Sequence, residues 1–151
     1  MQKILISACL LGQPVRYDGQ SKGLTDPRLA RWQAEGRLVT LCPELAGGLP
    51  VPRAPAERQG TRVVTVQGQD VTDAFAAGAQ AALQLCQAQG IQLALLKEGS
   101  PSCGSGQIYD GRFAGQRVTG EGVTTALLRA HGIRVYSETQ LAELALALGE
   151  G

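Results

Sequence analysis

Three of the four cysteines in this chain stand just beyond the ends of strands that the sequence predicts. Cys9, Cys42 and Cys103 each follow a short apolar run. In open α/β sheets the functional crevice lies outside the carboxyl ends of the strands. The three thiols are therefore expected to meet in space, although they are far apart in sequence. Three converging thiolates indicate a soft metal centre with one coordination position left free, and hence a catalyst.

Zinc and iron–sulfur centres compete for such a site. Catalytic zinc sites usually combine thiolates with a histidine or a carboxylate. Glu44 could complete a zinc site, whereas the single histidine, His131, falls at the predicted C-terminal end of a helix, where an imidazolium interacts favourably with the helix dipole. An all-thiolate trio with a vacant position suits a 4Fe–4S cluster better. The compact Cys-x-x-Cys motif of many cluster proteins is absent, so this interpretation rests on the predicted fold.

The fourth cysteine, Cys86, serves as an internal comparison. It lies on the apolar face of a predicted helix, three residues after Leu83, four after Ala82 and seven after Ala79. A free cysteine on such a face packs as a small hydrophobic residue. We therefore expect Cys86 in the core. A core role for Cys9, Cys42 and Cys103 is less favoured, because each stands beside turn-forming residues. A disulfide between two of them is also less favoured, because the third cysteine would be left without a partner.

Polar residues close to the cysteines are candidates for the chemistry. Glu44, two residues after Cys42, is placed to act as a base or an acid. Ser100 and Ser102 precede Cys103 in a loop whose hydroxyls and glycines could cradle an anion. We interpret both serines as functional.

Residues of the long loops are expected to line the substrate pocket. Arg16, Tyr17 and Asp18 lie in the first long loop and are interpreted as substrate-binding residues. Arg53 and Glu57, in the second long loop, are expected to line the same pocket.

Short apolar runs alternate with amphipathic stretches along the chain. Strands are predicted at residues 3–8, 37–41, 91–97 and 133–136, and helices at residues 27–35, 72–89, 124–130 and 138–148, the last capped by Ser137. This alternation predicts an α/β fold, a Rossmann-like three-layer sandwich with a mostly parallel sheet and helices on both faces. Residues 62–66 form a short strand that could pair antiparallel at a sheet edge. Residues 42–60 and 98–120 are expected to be loops without helix or strand.

Composition narrows the class of protein. The 151 residues fit a single domain, and the net charge of +1 gives no basic field, so a nucleic acid duplex is not expected as a partner. No apolar stretch approaches the roughly 20 residues of a membrane-spanning helix. The N-terminal segment lacks the length and cleavage site of a signal peptide. These features predict a cytoplasmic protein that does not bind membranes, in a compartment where thiols stay reduced.

Five motifs occur in one order along nearly the whole chain. They are residues 6–12 (ISACLLG), 15–19 (VRYDG), 42–44 (CPE), 47–50 (GGLP) with Pro52 and Arg53, and 100–104 (SPSCG). In these motifs the chain resembles the thiouracil desulfurases, a formerly uncharacterised bacterial domain family. It looks like a short form, one desulfurase-like domain over residues 1–151, without the extra domain of longer relatives.

The resemblance implies a 4Fe–4S cluster held by Cys9, Cys42 and Cys103, with the fourth iron open to the sulfur of the substrate. It also implies that Glu44 and Ser100 are the catalytic pair. The expected reaction is a non-redox removal of sulfur from a thiolated pyrimidine, with oxygen taking its place. The expected partner is a small thiolated nucleobase or nucleoside. Two alternatives are a non-catalytic iron–sulfur or thiol sensor of redox state or metal, and a zinc hydrolase that uses Glu44.

Overall fold

The computed structural model describes residues 2–13, 16–19 and 23–150. Its strands, in chain order, are β1 (Ile4–Ser7), β2 (Leu38–Leu41), β3 (Ala56–Gln59), β4 (Arg62–Thr65), β5 (Leu93–Leu96), β6 (Gln107–Tyr109), β7 (Arg117–Thr119) and β8 (Arg134–Ser137). Its helices are α1 (Pro27–Ala34), α2 (Pro43–Ala46), α3 (Thr72–Gln89), α4 (Val123–Ala130) and α5 (Leu141–Ala147), and a 3₁₀ turn spans Ala8–Leu11.

Four strands form a parallel central sheet in the order β2-β1-β5-β8. Ile4 of β1 lies opposite Leu38 on one side and Leu93 on the other. Every residue of β1 and β5 is buried, because both faces of an all-parallel sheet are covered by helices. The two inner strands therefore read as continuous apolar runs, which is why their sequences predict them clearly.

Alternate residues of the strands supply two apolar clusters, one on each face of the sheet. Ile6 and Leu95 pack in the first cluster with Trp32 of α1, and residues of α5 complete it. Leu5 and Leu96 pack in the second, with residues of α3 and α4. The helices thus cover both faces in pairs, and the predicted three-layer α/β architecture is confirmed.

Helix ends follow from local chemistry. The Asp26 carboxylate accepts a hydrogen bond from the Arg28 backbone N–H at 2.8 Å, so α1 begins at Pro27 as predicted. Gly90, with φ of 65°, ends α3 in the left-handed conformation that favours glycine. None of the helices in the described part of the chain is long and apolar enough to cross a bilayer.

The last helix begins later than predicted. Its first residue is Leu141, and Gln140 rather than Ser137 stands at the N-cap. The Ser137 hydroxyl accepts a bond from the Thr139 backbone N–H at 3.2 Å instead, and Glu138 pairs with Lys97. These contacts hold the stretch after β8 as a turn.

The expectation of two loops without regular structure is wrong. Residues 42–60 contain α2 and β3, and residues 98–120 contain β6 and β7. Strand β4 pairs antiparallel with β3 in a separate hairpin rather than at the edge of the central sheet. Gly60, with φ of 65°, occupies the two-residue turn of that hairpin.

The second hairpin, β6–β7, packs against the first through side chains of β3. The Glu57 carboxylate accepts hydrogen bonds from the backbone N–H groups of Gly111 and Phe113, at 2.9 and 3.2 Å. The Gln59 amide donates to the Gly111 carbonyl at 2.8 Å. These long-range bonds hold the two hairpins together, and residues of both hairpins line a cavity with residues at the carboxyl ends of β1 and β5.

Candidate active site

A cavity of about 680 Å³ opens where β1, β2 and β5 end. Strands β1 and β5 are neighbours, but the chain leaves β1 for β2 on one side and reaches β5 on the other. Such a reversal is the topological switch point at which open α/β sheets bind ligands. The cavity is lined by most of the residues that the sequence indicated: Cys9, Cys42, Cys103, Glu44, Ser100, Arg16, Tyr17, Arg53 and Glu57.

Each cysteine is placed by the element that precedes it. Cys9 is buried in the 3₁₀ turn that follows β1. Cys42 directly follows β2 and is the N-cap residue of α2. Cys103 is buried in the loop after β5, and the Ser7 hydroxyl at the end of β1 donates a weak hydrogen bond to its sulfur at 3.5 Å. The fold therefore brings the three thiols to one cavity from three strand ends.

Burial and mutual repulsion disfavour the thiolate forms of two of these cysteines. Burial, followed by the proximity of Cys42, raises the pKa of Cys9 to about 11. Burial raises the pKa of Cys103 to about 12, with Glu44 and the other two cysteines adding to the shift and the Ser7 hydroxyl opposing it. A metal bound here would therefore have to displace protons from buried thiols.

Glu44 projects from α2 into the cavity and is held by Arg53. The guanidinium donates to Glu44 Oε2 from Nε at 2.7 Å and from Nη2 at 2.5 Å. The two side chains are only 16 % and 8 % exposed. Charge-assisted bonds of this kind fix the orientation of a carboxylate. Arg53 also connects the loops, because its backbone N–H donates to the Tyr17 carbonyl at 2.7 Å.

The two serines of the 100–104 motif have different surroundings. Ser100 lines the cavity, and its hydroxyl oxygen accepts bonds from the backbone N–H groups of Ser102 and Cys103, at 3.0 and 3.1 Å. Ser102 is 1 % exposed, and its hydroxyl shares a 2.7 Å hydrogen bond with that of Thr124 in α4. Ser102 is not among the residues that line the cavity.

The first long loop contributes two side chains to the cavity wall. Arg16 and Tyr17 line it, and the Arg16 guanidinium carbon lies 5.7 Å from the centre of the Tyr17 ring. Asp18 is outside the lining set and pairs with Arg16 at 3.5 Å. Val15, part of the 15–19 motif, lies outside the described residues.

Lys97, Tyr109 and Arg117 are among the residues of the cavity wall that the sequence did not indicate. Lys97 follows β5 directly, and its ammonium lies 2.7 Å from Glu138 Oε2. The sequence predicts Lys97 as the last residue of the strand at 91–97, and that position at a strand end was a usable signal. Tyr109 and Arg117, with the guanidinium carbon 5.4 Å from the ring centre, come from the β6–β7 hairpin. No local signal marks them, because that hairpin was not predicted.

Cys86 and His131 occupy the places predicted for them. Cys86 is 1 % exposed on α3 and packs in the second apolar cluster. His131 is exposed at the C-cap of α4, and its Nδ1 lies 3.0 Å from the Leu127 carbonyl oxygen. Within the described ranges, no set of three or more His, Cys, Asp and Glu side chains is arranged to hold a single metal ion.

Fold and cavity together define a class of protein: Rossmann-like α/β proteins in which three cysteines line a cavity at the topological switch point. Within that class the chain belongs to the 2-thiouracil desulfurase family, since the model of that family matches residues 4–140. The resemblance noted in the sequence motifs is thereby confirmed.

Two similar proteins support this membership. The solved structure of TudS, described as a [4Fe-4S]-dependent thiouracil desulfidase, is 67 % identical, and the match covers 99 % of each chain with a TM-score of 0.98. The uncharacterized protein YbbK of Bacillus subtilis (strain 168) is 40 % identical over 151 residues, which cover 93 % of this chain and 99 % of YbbK. The chain therefore shares the fold of TudS over nearly all of its sequence.

Proposed function

We propose that this protein is a 4Fe–4S-dependent desulfurase that exchanges the sulfur of a thiolated pyrimidine for oxygen. The observation that carries the proposal is the convergence of Cys9, Cys42 and Cys103 on a cavity that also contains the ion-paired Glu44. Membership of the desulfurase family and the similarity to TudS support the same reaction. A small thiolated nucleobase or nucleoside is the proposed substrate.

The residues present fit such a cluster. The three cysteines that line the cavity offer only sulfur, the ligand type that iron–sulfur clusters use. The only histidine of the sequence is in the wall of a different cavity. Cys9, Cys42 and Cys103 would hold three irons and leave the fourth without a protein ligand. When bound, the cluster supplies a Lewis-acidic iron for the sulfur of the substrate.

Glu44 acts as the general base in this proposal. Arg53 holds Oε2, so Oε1 is the oxygen that receives the proton of the attacking water. The ion pair fixes the direction of the carboxylate before substrate enters, so no reorientation is required. One water supplies the oxygen, the C=S bond of the substrate is replaced by a C=O bond, and both protons of the water leave with the sulfur as hydrogen sulfide, the first of them by way of Glu44. The exchange is balanced without an electron donor.

Ser100 orients the substrate or the water. Its oxygen already accepts from two backbone N–H groups, so its remaining capacity is as a donor through the hydroxyl hydrogen. Arg16 and Tyr17 bind the substrate at the cavity wall, and Asp18 orients Arg16 through their ion pair. Ser102 would support binding from behind the wall, through its bond to Thr124.

We also infer that the protein acts in the cytoplasm. All four cysteines are free thiols, which suits a compartment kept reducing. A 4Fe–4S cluster held by cysteine side chains has the same requirement.

Substitution Glu44→Gln tests the general base. The variant should retain the iron and sulfide content of the wild type, because Gln keeps the shape of the side chain. Its turnover of 2-thiouracil and 4-thiouracil should fall by about 10²–10⁴-fold, since proton transfer by a positioned base contributes on that order. Loss of thiouracil absorbance under anaerobic conditions measures turnover. Glu143→Gln, at an exposed position of α5, is the matched control, and undiminished turnover in Glu44→Gln would remove Glu44 from the mechanism.

Alanine variants of Ser100 and Ser102 separate the two serines. The larger loss of kcat is expected for Ser100→Ala, because only the Ser100 side chain reaches the cavity. Ser102→Ala should lower chiefly the free energy of unfolding, by about 1 kcal/mol, because it breaks the hydrogen bond to Thr124. Steady-state kinetics and urea denaturation check both statements. A greater loss of kcat in Ser102→Ala would reverse the assignment.

A further inference from the structure

The loop that carries Ser100 and Cys103 folds around the carboxylate of Glu98, which lies at the start of the same loop. Glu98 Oε1 accepts hydrogen bonds from the backbone N–H groups of Ser105 at 2.8 Å, Gly106 and Gln107 at 3.2 Å, and Gly99 at 3.3 Å. The hydroxyl and glycine pattern of this segment indicated an anion cradle. The anion in that cradle is Glu98 itself.

The start of this loop is attached to the central sheet through residues that directly follow β5 and β8. The Glu98 backbone N–H donates to Glu138 Oε1 at 2.8 Å, and Glu138 Oε2 pairs with the Lys97 ammonium at 2.7 Å. The hydroxyl of Ser105, a buried residue, donates to Glu98 Oε2 at 3.3 Å. Glu98 therefore joins the far end of the loop to the end of β5.

The Ser100 hydroxyl and the Cys103 thiol lie between the residues whose backbone N–H groups donate to Glu98. Gly99 is on one side of Ser100 and Cys103, and Ser105 is on the other. The Gly104 backbone N–H donates to the Ser100 carbonyl at 2.9 Å, which closes the turn between them. If the ends separate, both the Ser100 hydroxyl and the Cys103 thiol move relative to the cavity.

We propose that Glu98 is a positioning residue of the desulfurase site, the internal anion that sets the geometry of Ser100 and Cys103. The proposal rests on the proposed function only in naming those two residues as active groups. Glu98 itself lines the cavity edge, but its carboxylate oxygens are engaged by the loop.

The charge of Glu98 matches this role. Burial opposes its ionisation, but the backbone bonds from Gly106, Gln107, Ser105 and Gly99 outweigh burial and keep the pKa of the carboxyl below its usual value. The side chain is thus an anion at neutral pH, and bonds to an ionised acceptor are stronger than those to a neutral one. Glutamine at this position would keep one carbonyl acceptor and lose the charge.

The experiment compares Glu98→Ala and Glu98→Gln with the control Glu143→Gln. Hydrogen exchange on the metal-free protein reports the amides of Gly99, Ser105, Gly106 and Gln107. These should exchange about tenfold faster or more in Glu98→Ala, with unchanged protection in α3, and show intermediate rates in Glu98→Gln. In the reconstituted protein, kcat should fall at least about tenfold in Glu98→Ala with partial rescue in Glu98→Gln, while KM changes little.

Three results would overturn the proposal. One is unchanged exchange of the four amides in Glu98→Ala. Another is a fall in kcat without any change in exchange, which would make Glu98 a participant in the reaction rather than a positioning residue. The third is a uniform rise of exchange across α3 and the central sheet, which would reduce its role to global stability.

The hydrogen-exchange measurement on the metal-free protein does not depend on whether the protein removes sulfur from thiouracils. A wild-type protein that fails to release sulfide from thiouracils would contradict the proposed function, while the four amides would still decide the role of Glu98. If Glu98→Ala does not fold, the shorter Glu98→Asp takes its place, and wild-type exchange in that variant would likewise overturn the proposal.

Discussion

Alanine substitution of Cys9, Cys42 or Cys103 is expected to abolish both the cluster and the turnover of thiouracils. Each thiol comes from a different strand end, so no neighbouring cysteine can replace a missing ligand. A cluster with two protein ligands would be lost on purification. Iron and acid-labile sulfide per chain, the visible absorbance spectrum and sulfide release are the measurements.

Cys86→Ala is the matched control for those three variants. Its side chain packs on α3 in the second apolar cluster, and it is absent from the cavity wall. The variant should keep cluster and turnover and lose about 1 kcal/mol of unfolding free energy, a typical cost for a small core truncation. Equal loss of iron in Cys86→Ala, or full iron content in any of the other three, would contradict the assignment of ligands.

Gly78→Ala is expected to destabilise the protein by about 3 kcal/mol and to remove the cluster, although alanine is the better helix former. A Cβ on Gly78 would lie 1.9 Å from the Pro43 carbonyl oxygen. At the C-cap of the facing helix α2, a Cβ on Gly47 would lie 2.0 Å from the Ala74 carbonyl oxygen. Helices α2 and α3 therefore meet backbone to backbone. Since Cys42 and Glu44 flank Pro43, any shift of α2 moves a ligand and the base together.

Ala77→Gly, one residue earlier on the exposed side of α3, isolates the effect of helix propensity. It should cost about 1 kcal/mol and leave the cluster intact. Urea denaturation and iron content of the two variants give the comparison. A Gly78→Ala protein as stable as the wild type would show that α2 can move away without cost, and the close contact would then not fix the site.

Much of the site could be predicted because it follows the sheet. The apolar runs before Cys9 and Cys42 mark the strands, and parallel strands end at one edge. The same logic would have found Lys97, one residue past β5. The buried position of Cys86 followed from helical spacing. In these cases one local sequence pattern predicts both the type of element and the place where it ends.

Other parts of the structure depend on contacts between distant residues. Helix α2 has four residues and β6 has three, too few to show a period. The hairpins are held by Glu57 and Gln59, whose partners lie more than 50 residues away. Ser100 lines the cavity and Ser102 does not. This difference depends on Glu98, which bonds to both ends of the loop, and on Thr124, which binds the Ser102 hydroxyl. Spacing alone carries none of this information.

The two hairpins have a consequence for how such proteins diversify. The three thiols follow strands of the central sheet and Glu44 lies in α2, whereas Tyr109 and Arg117 belong to the β6–β7 hairpin, a cover that the Glu57 and Gln59 bonds hold at the cavity. Under the proposed function, changes in this cover would alter which molecules enter the cavity and would leave the three cysteines and Glu44 in place. Substrate selectivity and reactivity would then be open to separate mutation within one chain.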